Sequence, residues 1–152
     1  MPIQVIAVGK KHESWVEEGI QRYQKRLKMP FMVEWVLLPH SNFDGLKARQ
    51  EESGRLLSRL KRDDVVVLLD ERGKQLNSPA LSTLITSEVS NSRNLVFIIG
   101  GAYGVDETIH RRAQKIWSLS DLVFPHQLVR LLLVEQIYRA QEIASGGAYH
   151  HD

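Results

Sequence analysis

The run SLSDLVFPH, residues 118–126, leads into QLVRLLLVEQIYRA, residues 127–140, and this junction decides the fold. A polar start gives way to Leu122, Val123 and Phe124, then to proline and histidine. Pro125 suits the first position of a helix, where its missing N–H has no partner to lose. The helix that follows is apolar on nearly every side, so it belongs in a core or against a second subunit. His126 and Arg130 are four residues apart, as are Glu135 and Arg139, so each pair shares a face. Salt bridging at an interface is the plain reading of Arg130, Glu135 and Arg139.

Working outward, the apolar pattern alternates between two periods. Residues 3–8, 33–38, 65–69 and 95–99 are short aliphatic runs of the kind buried on both faces of a sheet, and 116–122 is a weaker fifth. Between them lie helical patterns. Val16, Ile20, Tyr23 and Leu27 fall on one face, and residues 46–60 form a polar helix with a thin apolar side. Ser78-Pro79 reads as an N-cap and first helical residue, opening a helix to about Val89. Asp106 caps another reaching Lys115. Five strand–helix alternations give an α/β class with a mainly parallel sheet and helices on both faces. One domain, residues 1–152, is the expectation.

Composition narrows the function. The chain has 152 residues, no cysteine and a formal net charge of +2. Disulfides, thiolate metal sites and cysteine nucleophiles are therefore excluded. No apolar run approaches the roughly 20 residues of a membrane span. The opening MPIQVIAVGKK has no signal-peptide layout, so a cytoplasmic location is expected. Basic residues gather at 10–11, 22–28, 59–62 and 111–115. These are either solvated helix faces or a grip on a phosphate-rich partner.

In parallel sheets, ligands collect beyond the carboxyl ends of the strands. Two such ends stand out. In LLDERGK, residues 68–74, a hydrophobic strand stops at Asp70 and turns through Gly73; Asp70 is either a turn residue or a ligand contact. In IIGGAYG, residues 98–104, Gly100, Gly101 and Gly104 allow a sharp turn and close approach of a ligand. Their spacing fits neither a dinucleotide fingerprint nor a phosphate loop. The tail, GGAYHHD, ends a helix and then offers Tyr149, His150 and His151. Termini are commonly inert, but an aromatic ring beside imidazoles also suits a nucleobase. There is no G-x-S-x-G and no pair of carboxylates at a suitable strand end, which disfavours a hydrolase. A non-enzymatic nucleotide- or RNA-binding module remains the competing class.

In this order, VIAVGK, LDERGK, FIIGGAYG, WSLSDLVFPHQLVR, EQIYRA and a terminal YHH closely resemble the RlmH-type methyltransferases of the SPOUT class, over essentially the whole chain. The resemblance implies a trefoil knot in about residues 68–152, a homodimer with the last helix at its interface, and S-adenosylmethionine as methyl donor without a metal. It implies methylation of N3 of a pseudouridine in 23S ribosomal RNA; the modest net charge gives limited grip on naked RNA, so the assembled ribosome is the expected substrate. Cofactor contacts carry over to Leu69 and Asp70, to Gly100, Gly101 and Gly104, and to Ser120, Asp121, Leu122, Val123, Phe124 and Pro125. Arg139, Tyr149 and His150 fall on the catalytic side, with His150 expected to take the N3 proton. His126, Arg130 and His151 fall nearby on the RNA side. Tyr149 and His150 are expected to reach the partner's cofactor.

Two features depart from the family pattern. Leu122 and Val123 stand where methionine and threonine are common, so a hydroxyl is lost at 123. His151 stands where lysine or arginine is usual. Histidine has an ordinary pKa of about 6.5, so RNA binding is expected to weaken as the pH rises past that value.

Overall fold

The computed structural model describes residues Met1–His151; Asp152, the last residue of the expected domain, lies outside the described residues. Five strands, β1 (Ile3–Val8), β2 (Val33–Leu38), β3 (Val65–Gln75), β4 (Leu95–Ile99) and β5 (Lys115–Ser118), form one sheet. Its order is β2-β1-β4-β3-β5 and every pairing is parallel. The helices are α1 (Ser14–Gln24), α2 (Gly45–Ser58), α3 (Ser78–Ser90), α4 (Glu107–Arg112) and α5 (His126–Ala144).

The three inner strands carry the densest apolar runs, Val5–Val8 in β1, Val65–Leu69 in β3 and all of β4. Every residue of β4 is buried, because a central parallel strand has a helix layer over each face. Val5, Ala7, Val67, Phe97 and Ile99 face one layer with Leu81 and Ile85 of α3 and Leu133 and Ile137 of α5. Ile6, Val8, Val66, Leu68, Val96 and Ile98 face the other, with Leu56 of α2 and Ile109 of α4. Val16 and Ile20 of α1 close against Val134 of α5.

Much of the apolar character of α5 is thereby accounted for within its own chain, while Leu128 and Leu132 stay half-buried outside these clusters. It lies on the sheet between α1 and α3, with Leu133, Val134, Ile137, Tyr138 and Ala140 buried. Ser82 Oγ donates to the Ala140 carbonyl at 2.9 Å and fastens α3 to it.

Several boundaries differ from the sequence reading. The third strand does not stop at Asp70. It makes an excursion and resumes, since both Leu69 and Lys74 pair with Trp117. Gly73 makes this possible: a Cβ there would stand 2.3 Å from the Ile116 carbonyl oxygen. The fifth strand ends at Ser118, because Ser120 turns the chain into a loop. The N-cap of α3 is Asn77, whose side chain accepts from Ala80 N at 2.8 Å, so Ser78 is already helical. Pro125 likewise occupies the cap of α5 with an extended ψ of 145°. Asp106 does cap α4, accepting from Thr108 N at 3.0 Å, but that helix ends at Arg112 rather than Lys115.

Candidate functional site

Three loops at the carboxyl edge of the sheet enclose a cavity of about 610 Å³. The first is the excursion of β3, the second joins β4 to α4, and the third joins β5 to α5. Of the residues expected to hold a cofactor, Leu69, Asp70, Gly100, Gly101, Gly104, Ser120, Leu122, Val123 and Phe124 line it. Asp121 and Pro125 belong to the third loop but fall outside the lining. His126, expected on the RNA side, lines the cavity too. Sequence reasoning missed Leu46, Arg49 and Gln50 of α2, Trp117 of β5, Tyr103 and Asp106 of the second loop, and Glu107 of α4. Only Tyr103, inside GGAYG, carried a signal.

Asp70 turns out to be a turn residue and a wall of the cavity at once. Its Oδ1 accepts from the backbone N–H of Arg72 at 2.9 Å, and Arg72 Nη2 donates to Oδ2 at 3.1 Å. His110 of α4 places Nε2 3.2 Å from the same oxygen, joining the first loop to the helix after the second. Burial works to raise the Asp70 pKa, but the hydrogen bonds and charge of Arg72, with His110, outweigh it and hold the carboxyl below its ordinary value.

The glycine turn is tight for steric reasons. Gly104 has φ +74° and donates its N–H to the Gly101 carbonyl at 3.0 Å. A Cβ on Gly101 would meet Glu52 Oε1 at 2.7 Å. Glu52 is buried, and its other oxygen accepts from Ser41 N at 2.9 Å. Arg49 Nε donates to the Tyr103 carbonyl, so α2 braces the turn from outside.

The third loop spends its hydroxyls on itself. Ser118 Oγ donates to the Ser120 carbonyl at 2.8 Å, and Ser120 Oγ accepts from Leu122 N at 3.0 Å. Leu122 and Val123 are left 69% and 76% exposed at the rim. The acidic groups of the lining are Asp70, Glu71, Asp106 and Glu107, against the guanidiniums of Arg49 and Arg72, and no lysine is among them. That balance favours a cationic ligand over a phosphate.

Arg130 is 1% exposed and does not face the cavity. Its guanidinium donates to the carbonyls of Val8, Gly9 and Lys11 and to His12 Nδ1, clamping the loop after β1. His126, one turn earlier on α5, is lowered in pKa by crowding, by Arg130 and by His40, with Glu52 opposing.

Arg139, Tyr149 and His150 do come together, at the far end of α5. Arg139 Nη2 donates to Glu135 Oε2 at 2.8 Å, and Tyr149 Oη donates to the same oxygen at 3.0 Å. Arg139 Nη1 donates to His150 Nδ1 at 3.2 Å, and its guanidinium lies 4.8 Å from the Tyr149 ring centre. Burial and the bond to Glu135 raise the Tyr149 pKa, so it stays a neutral phenol. His151 is exposed. Thirteen residues of helix separate His126 from Arg139, about 20 Å at 1.5 Å per residue. The two halves of the expected site are thus apart on one chain. Among the described residues no group of three or more His, Cys, Asp or Glu side chains is placed to hold a metal, and no helix is long and apolar enough to cross a membrane.

Residues 1–150 match the family described as predicted SPOUT methyltransferase. A protein of Geotalea daltonii named ribosomal RNA large subunit methyltransferase H is 40% identical over 99% of this chain and 100% of its own length. Proteins of the same name from Alkalilimnicola ehrlichii and Acetivibrio thermocellus are 39% and 37% identical, each over 99% of both chains.

Proposed function

The chain belongs to the SPOUT methyltransferase family, and from that premise we propose that it methylates N3 of a pseudouridine in 23S ribosomal RNA with S-adenosylmethionine as donor. The observation that carries this reading is the cavity itself. Nine of the eleven residues expected to hold the donor line one space, whose charged groups are mostly carboxylates. S-adenosylmethionine bears a sulfonium and an ammonium against one carboxylate, so it is net cationic and fits this lining. A nucleotide phosphate would meet Asp70, Glu71, Asp106 and Glu107 with only Arg49 and Arg72 to offset them. That weighs against the competing phosphate-binding module.

The bound donor supplies the activated methyl group. The protein's part is to hold and align it, and alignment alone can contribute several orders of magnitude. Phe124, Val129 and Leu69 offer apolar contact, and the glycine turn offers backbone groups. Asp121 and Pro125 fix the third loop from outside the lining. On the target side, Arg139, Tyr149, His150 and His151 receive the nucleobase and adjacent phosphates, while Arg130 acts through the loop it clamps.

Distance supports a homodimer. With about 20 Å of helix between His126 and Arg139, one chain does not bring its tail to its own cavity. A partner's tail completes the site, and the exposed Leu122 and Val123 at the rim give it an apolar surface to cover. The family implies a knot in about residues 68–152 within one domain; its support here is that all three cavity loops follow residue 68. The assembled ribosome in the cytoplasm is the proposed setting, because a net charge of +2 gives little grip on naked RNA.

Calorimetry with S-adenosylmethionine, alone and with RNA, tests the donor. Mass spectrometry of large-subunit RNA from cells with and without the gene tests the target. A modified pseudouridine present only with the gene is the expected result; no donor binding at millimolar concentration in the presence of RNA overturns it.

A further inference from the structure

We propose that His126 of the donor cavity, and not His150 of the tail, accepts the N3 proton of the target base; this rests on the pseudouridine reading above. Uracil-type imides lose that proton only under alkaline conditions, so a base beside the donor is needed at neutral pH.

The placement of the two histidines decides between them. Arginine has only donors, so Arg139 Nη1 at 3.2 Å from His150 Nδ1 directs an N–H at that nitrogen and claims its lone pair. A neutral His150 then carries its proton on Nε2. The nitrogen that would have to take a proton is therefore the one Arg139 already occupies.

His126 is arranged the other way. It lines the cavity that nine expected donor contacts share, as an exposed residue whose ring makes no hydrogen bond among the described residues. It is the first residue of α5, where the positive end of the helix dipole disfavours an imidazolium. Arg130 follows one turn later and His40 lies close enough to act in the same sense, while buried Glu52 opposes both. These are the charged groups that reach it from α5, from the loop after β2 and from α2. Crowding that strips water from the ring is the largest influence on it, Arg130 and His40 add to it, and together they lower its pKa and favour the neutral form a base must have before the step.

The step balances as follows. The N3–H bond breaks, its proton goes to a ring nitrogen of His126, and its electron pair stays on N3. N3 bonds the donor's methyl carbon, and the pair of the breaking carbon–sulfur bond returns to sulfur as a neutral thioether. The imidazolium then releases the proton to solvent.

The test uses ribosomes from cells lacking the gene, with labelled S-adenosylmethionine, in single-turnover reactions across a pH series. His126→Gln is expected to slow transfer roughly 10²–10⁴-fold at neutral pH, with the gap narrowing as alkali ionises the imide directly. Donor affinity by calorimetry is expected to stay within about threefold, less than a single hydrogen bond's contribution. Added imidazole is expected to restore rate to His126→Ala but not to His150→Ala. His150→Gln is expected to weaken ribosome binding and to leave the pH profile unchanged. Proton NMR of the free protein reads the same claim without turnover: the His126 ring titrates below the ordinary histidine value. A full rate in His126→Gln, an equal loss at every pH, or imidazole rescue confined to His150→Ala overturns the proposal. A wild-type chain that binds donor and methylates no ribosomal position overturns the pseudouridine reading and this step with it.

Discussion

Arg130 and Gly9 are fitted to one another. The guanidinium Nη2 stands 2.8 Å from the point a Cβ on residue 9 would occupy, and it donates to the Val8 and Gly9 carbonyls at 3.0 and 3.1 Å. Gly9 also has φ +120°, which side chains rarely adopt. Arg130→Met keeps bulk and removes every donor. It leaves buried carbonyls unpaired at about 1–3 kcal/mol each, so a loss of about 2–4 kcal/mol is expected in urea denaturation. Gly9→Ala is expected to lose a similar amount. A stable Arg130→Met protein with weakened RNA binding would instead place this arginine on the RNA.

Gly73 is the hinge of the first cavity loop. A Cβ there would stand 2.3 Å from the Ile116 carbonyl oxygen and 2.8 Å from Trp117 N. Both are backbone atoms of β5, which have little room to yield. Gly73→Ala is expected to cost about 3 kcal/mol or more and to abolish donor binding by calorimetry, since it parts the strand from the excursion that Asp70 begins.

The Asp70 carboxyl makes a pH prediction with a definite sign. Its folded pKa lies below the reference value of 3.8, with burial opposing and Arg72 and His110 prevailing. A depressed carboxylate stabilises the fold above its unfolded pKa, and that contribution is lost as the pH falls through the folded value. Thermal melts are expected to show a steeper loss of stability below about pH 4 in the wild type than in Asp70→Asn. Equal slopes would show that the pair with Arg72 contributes nothing.

Much of this was legible in the sequence, for identifiable reasons. Dense apolar runs, Val5–Val8, Val65–Leu69 and Leu95–Ile99, marked β1, β3 and β4, because strands covered on both faces show little polar side. The glycine turn was legible because its residues are small by necessity. The excursion of β3 was not, since a register shift depends on the backbone of a partner strand and only Gly73 hints at it. Nor was the division of labour between Arg130 and Arg139. Both sit four residues from a polar partner on α5, yet one is sealed over the loop after β1 and the other faces the tail. The part played by α2 in walling the cavity left no pattern, because Arg49 and Gln50 look like any solvated helix face.

His151 stands exposed at the end of the described chain, next to the His150 that Arg139 orients. His151→Arg places a permanent charge there. If the tail meets phosphate, ribosome affinity is expected to rise, and the slope of log affinity against log salt is expected to steepen by about one. Donor affinity is expected to stay unchanged, because the residue does not line the cavity.

The proposed composite site makes the most demanding prediction. Gly101→Arg drives a side chain into Glu52 Oε1 and Val8, which stand 2.7 and 3.1 Å from the first added carbon, so this variant loses the cavity and keeps its tail. Tyr149→Ala combined with His150→Ala loses the tail and keeps the cavity. Each homodimer is then expected to be inactive. In a homodimer with two-fold symmetry, mixing the two by unfolding and refolding puts one whole site into each mixed dimer. With random exchange, half of the dimers are mixed and each has one of its two sites, so about one quarter of the wild-type rate is expected. No recovery, with mixed dimers confirmed by native mass spectrometry, would place the tail and cavity of a single chain in the same site. The roughly 20 Å of α5 between them would then have to be closed by a movement of the last seven residues.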